Sequence, residues 1–155
     1  MILKRSLEQY FSFAAEKEKS NLPLIEKLNK LLREEKKQQD EHLRPAQIRR
    51  LTELDFLFYR AIIEAGDNTV FLLLFNSARE LYHQKLEQFF TENTGSIQTA
   101  AALKSELIAH IAEGNRQEAL ALLEKMTSIG AYIDPESSNK GIIHEDISAQ
   151  TRTKD

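Results

Sequence analysis

The chain has no cysteine, and only three prolines and five glycines among 155 residues. Without cysteine there are no disulfides, no thiolate zinc sites and no cysteine nucleophiles. The scarcity of proline and glycine favours helices, because few residues are left to punctuate a sheet. A charge excess of one sign is also missing. Lys and Arg total 21, Asp and Glu 24, and the net charge is −3. The basic stretches KLLREEKK and RPAQIRR have Glu or Asp among or near them, so they make no one-signed surface for nucleic acid.

Long apolar runs are absent too. The longest is VFLLLF, residues 70–75, against the ~20 residues that a membrane span requires. The amino end, MILKRSLEQYF, lacks the apolar core and cleavage site of a signal peptide, so the cytoplasm is the default compartment. No glycine-rich phosphate loop occurs, and Ser, His and Asp are not spaced as a catalytic motif. The reading is not an enzyme, and no cofactor is implied. Paired carboxylates such as Glu34 and Glu35 read as a solvated, solubilising charge run.

What remains is helix. Strong helix formers dominate and period-2 alternation is hard to find. Six main helices are expected: Ile2 to Lys19, Leu22 to Glu41, Pro45 to Ala65, Thr69 to Phe90, Ile97 to Glu113, and Arg116 to Ile129. Pro23 and Pro45 are accepted in first turns. Gly66-Asp67-Asn68 ends one helix and can cap the next, and Gly114 suits a C-terminal cap. TENTGS reads as a loop, and the residues from Asp134 onward as a polar tail in which GIIHEDIS could dock. The expected fold is all-α, an antiparallel bundle of six to seven helices with short connections.

Two charges break the helical pattern. On a wheel of the third helix, Arg49, Glu53, Arg60 and Glu64 fall within about 60° of one another and form the wet face. Leu51, Phe58 and Ile62 lie opposite, and Asp55 falls on their side with Tyr59 one turn on. In the fifth helix, Ala100, Leu103, Leu107 and Ile111 make the apolar face, and Lys104 falls inside it between Leu107 and Ile108. A buried carboxylate requires a partner, and a lysine on an apolar face must snorkel out or meet an anion. Asp55 and Lys104 are therefore the two charges expected to share the interior. A cap or crevice for Asp55, and a solvent route for Lys104, are the bland alternatives.

The order of motifs adds a resemblance. It is carried by Arg5-Ser6-Leu7-Glu8, by Asp55-x-x-Phe58-Tyr59-Arg60-Ala61, by Glu64-Ala65-Gly66-Asp67-Asn68, by Ile111-Ala112-Glu113-Gly114-Asn115 and by Glu118-Ala119. Over about residues 1–131 this series resembles the C-terminal effector-sensing (FCD) domain of the FadR branch of the GntR transcription regulators. The resemblance implies an all-α bundle that holds a small effector at its centre, dimerises, and follows an N-terminal winged helix that binds operator DNA. Under this reading residues 1–131 are the effector-binding and dimerisation domain and residues 132–155 the polar tail. The winged helix is expected to lie outside this chain, which would then be a fragment, and DNA would be reached only through it. A stand-alone sensor is the other possibility.

Many such domains hold a metal with an Asp, a His four residues on, and one His in each of the last two helices. Here those positions carry Asp55, Tyr59, Lys104 and Met126. A phenol, an ammonium and a thioether beside one carboxylate do not make a zinc or nickel site. The expectation is a site without metal, in which Lys104 stands for the cation. The acyl-CoA-responsive members share this loss, and the likeness to them runs through LTELDFLFYRAI, Leu74-Phe75-Asn76, Glu80-Leu81-Tyr82 and Phe89-Phe90. A fatty acyl effector and a small carboxylate gripped by Arg5 or Lys104 are both expected candidates. The ligand-binding set is thus Arg5, Asp55, Tyr59, Tyr82, Lys104 and Met126. The competing class is a helical dimerisation module with no effector. VFLLLF, apolar around most of a turn, belongs either in the core or in a homodimer interface.

Overall fold

The computed structural model describes residues 2–17, 21–40 and 42–129. The expected tail, including GIIHEDIS, lies outside the described residues. Seven helices are present among those described: α1 (Ile2–Lys17), α2 (Leu22–Gln38), α3 (Pro45–Ala65), α4 (Thr69–Ser77), α5 (Arg79–Glu92), α6 (Gly95–Glu113) and α7 (Arg116–Ile129).

Local chemistry sets most of the boundaries. Pro23 and Pro45 sit in first turns, where the missing N–H is no loss. The Gln47 side chain accepts the Arg44 backbone N–H at 2.8 Å and closes the start of α3. Asn68 caps α4 by accepting from the amides of Val70 and Phe71, at 3.1 and 3.2 Å. Gly114 ends α6 with φ of 73°, a left-handed conformation that a side chain would strain.

One boundary corrects the sequence reading. The stretch from Thr69 to Phe90 is two helices, broken at Ala78, rather than one. Ser77 Oγ donates to the Leu74 carbonyl at 2.7 Å, which competes with the helical ladder at that turn. Beyond the break, Tyr82, Leu86 and Phe90 bury one stripe of α5. In addition α6 starts at Gly95, two residues before the expected Ile97, so only Asn93 and Thr94 link it to α5.

α3 is the hub. It packs against α1, α2, α4 and α5, while α6 lies against α2 and α7, and α7 closes back on α1. Eleven residues of α3 are buried, among them Phe56, Phe58 and Ile62. At full burial each such side chain contributes about 1.5–3 kcal/mol. The α1–α3 contact is close enough to require a glycine. A Cβ on Gly66 would sit 2.6 Å from the Ser6 carbonyl oxygen and 2.9 Å from its Cα. Gly66→Ala is expected to push α1 away and cost about 1–3 kcal/mol, read as a lower urea midpoint. An unchanged midpoint would mean that α1 does not seat this closely.

α4 differs from the other helices in having no buried residue. The core-packing reading of VFLLLF therefore fails for Val70, Leu73 and Leu74, which are 61, 65 and 52 % exposed. Phe75 holds α4 to the bundle by stacking on Phe56, with ring centroids 4.7 Å apart. The opposite stripe faces outward.

Candidate functional site: a charged cluster in the bundle core

Asp55 is buried, as the wheel of α3 predicts, and its partners come from two other helices. Lys104 Nζ of α6 lies 2.5 Å from Asp55 Oδ1. The Tyr82 hydroxyl of α5 donates to Asp55 Oδ2. Lys104 is fully buried, in the apolar run that brings Ala101, Leu107, Ile108 and Ile111 to the core, and its ammonium lies 5.3 Å from the centre of the Phe58 ring.

A third partner corrects the sequence reading. Glu35 is not on a solvated face. It is 1 % exposed, and both its oxygens accept from Lys104 Nζ, at 2.9 and 3.1 Å. Glu34 is the solvated member of the pair, held by Lys37 at 3.0 Å. The signal was in the sequence. Leu24, Leu28, Leu32 and Glu35 follow one helical stripe and are the buried residues of α2. Glu35 was hidden among the charges that flank it.

An ammonium has three N–H donors. In Lys104 they face Glu35 Oε1, Glu35 Oε2 and Asp55 Oδ1. The cation is saturated by protein carboxylates. Burial acts against the charge of Lys104, but Asp55 and Glu35 together outweigh it and hold its pKa above the ordinary value. For Glu35, burial is the largest influence and raises its pKa; Lys104 pulls it back, Asp55 raises it again, and the net direction is upward.

The other sequence-predicted residues are placed as follows. Tyr82 joins the cluster directly. Tyr59 and Met126 belong to the buried core, at 9 and 7 % exposure. Arg5 is exposed on α1 and does not join the interior group. The set Asp55, Tyr59, Lys104 and Met126 does not fit a metal. The cation beside Asp55 is Lys104 itself, and among the described residues no three His, Cys, Asp or Glu side chains gather to hold an ion.

Two further features bear on binding. A groove of about 120 Å³ between α2 and α3 is lined by Lys27, Leu31, Leu57, Arg60, Ala61 and Glu64. It is small against the ~300 Å³ at which ligand pockets begin. Its lysine is taken up by Glu64 at 2.8 Å. Among the described residues no helix is long and apolar enough to cross a membrane.

Comparison with known proteins gives one family. Residues 6–135 match the model described as the FadR C-terminal domain. No curated protein and no solved structure matches the chain.

Proposed function

The chain belongs to the FadR C-terminal domain family, and on that premise we propose that it senses a small effector in the bundle interior, without a metal, and dimerises. This is a family of regulatory, effector-binding domains of GntR/FadR-type transcription regulators rather than of enzymes. In the proposed arrangement a winged helix N-terminal to the domain holds DNA, and the dimer carries the effector's influence to it. An effector moves such an equilibrium only by its differential affinity for the two states.

The observation that supports this reading is the buried pair of Asp55 and Lys104, an internal cation beside a carboxylate, at positions that the resemblance assigns to metal ligands. The same geometry bears on the effector. The three donors of Lys104 are engaged by Glu35 and Asp55, and Arg5 is on the outside. Neither is free in the interior to grip a small carboxylate. An apolar-tailed, fatty-acyl-like effector, which needs no free cation in the interior, is therefore the favoured class. The saturated cluster also supports a second reading, in which the core is a rigid support and the domain only dimerises.

The outward stripe of α4 supports a homodimer. Val70, Leu73 and Leu74 follow i, i+3, i+4 spacing and are more than half exposed. Apolar side chains gathered on one helix face mark an interaction surface.

Native mass spectrometry, followed by denaturing release, tests the proposal. A dimer that carries a stoichiometric acyl-sized mass is the expected result. A released small carboxylate would overturn the acyl class. A bare dimer would favour the effector-independent module. A bound metal or a bare monomer would overturn the proposal.

A further inference from the structure

The central cluster holds one charge more than it balances. Glu35, Asp55 and Lys104 are 1, 5 and 0 % exposed. Two carboxylates and one ammonium sum to −1 when all are ionised. Burial leaves little water to screen that excess, and an unmatched charge in the core is costly. Two carboxylates that share one site do not both ionise freely.

Among the described residues, the neighbouring elements bring no second buried cation into the cluster. From α3 comes Asp55, from α5 the Tyr82 hydroxyl, and from α6 Lys104. Lys36, next to Glu35 on α2, is exposed and turned to Ser105 Oγ at 3.4 Å. Phe58 supplies a ring face to Lys104 and no charge. Among the described groups, what can supply the missing positive charge is a proton.

The geometry also chooses the carboxylate. Asp55 is met by a donor at each oxygen, Lys104 at Oδ1 and the Tyr82 hydroxyl at Oδ2. Among the described residues, Glu35 accepts its side-chain hydrogen bonds from Lys104, and the exposed Lys36 is a weaker influence. A protonated Glu35 keeps one oxygen as an acceptor for Lys104, and the remaining Asp55–Lys104 pair is neutral. We infer that Glu35 is a proton-binding site in the core, and that its deprotonation leaves a net negative charge which weakens the seam between α2 and α6. The inference rests on this cluster and not on the effector reading.

The upward direction for Glu35, set first by burial, agrees with this geometry. The sign of the linkage follows. A carboxyl with a raised folded pKa binds more protons folded than unfolded over the window between the two values. Its stabilisation is complete below the unfolded value of about 4.3 and is lost as pH rises through the folded one.

The test is a pH titration of the intact chain, 13C-labelled at glutamate, with side-chain carboxyl signals assigned through the backbone. Glu35 is expected to titrate above the ordinary glutamate range of about 4.3. Glu34 supplies the internal contrast, because its hydrogen bond to Lys37 holds it below its ordinary value. Urea unfolding across the same pH window is the second readout. The native chain should lose stability as pH rises, and Glu35→Gln should lose most of that slope. Should Glu35→Gln not fold, the titration of the native chain decides alone. Glu35 titrating with the exposed glutamates or below them would overturn the inference.

Discussion

Lys104→Met is expected to destabilise the fold by about 3–5 kcal/mol, the usual cost of removing one partner from a buried ion pair. Methionine keeps much of the stem volume, so the loss is electrostatic rather than a cavity. Glu35 and Asp55 would then lie in the core with no cation between them. At about 2–4 °C per kcal/mol for a domain of this size, the melting temperature should fall by about 6–20 °C. Thermal and urea unfolding measure it. A double variant separates the causes. If charge is the cause, Lys104→Met with Glu35→Gln should recover part of the loss, because one of the two stranded carboxylates is gone. A melting curve unchanged by Lys104→Met would show that the cluster does not hold the core, and the idea that lysine replaces the metal would fall with it.

The second large effect is expected on the outside of the bundle. If the chain dimerises as proposed, Leu73→Glu should yield a monomer while leaving the helices intact. Leu73 is 65 % exposed in the single chain, so the substitution costs the isolated fold little. In a two-fold contact the same patch meets itself, and each substitution acts twice. It removes an apolar contact and places like charges near one another. A hot-spot loss of about 2 kcal/mol per copy implies a dissociation constant higher by roughly 100-fold or more. Light scattering coupled to size exclusion reads the mass, and circular dichroism checks the helices. A variant that stays dimeric would place the interface elsewhere and leave the exposed α4 stripe without this role.

Much of the architecture was legible because it is local. Helix starts at Pro23 and Pro45, the Asn68 cap and the Gly114 stop each depend on a few neighbouring residues, and each lies where the sequence placed it. Asp55 and Lys104 stood out because a charge on an apolar stripe violates a period that one helix reveals by itself. Glu35 obeys the same rule, in line with Leu28 and Leu32, but the run REEKK around it reads as wet surface. The break at Ala78 could not be read in this way. The residues on both sides form helix, and the two helices bury different amounts because Phe75 alone stacks one on α3 while Tyr82, Leu86 and Phe90 bury the other.

The sequence by itself determined an all-α chain, the inward side of most helices, and two charges on apolar faces that called for a partner or a route to water. Tertiary structure alone decided who neutralises them. Glu35 and Lys104 are 69 residues apart, and Tyr82 and Asp55 are 27 apart. Helical periodicity fixes the direction of a side chain around its own axis. It does not fix the height at which another helix passes, and at hydrogen-bond distances that height determines the pairing.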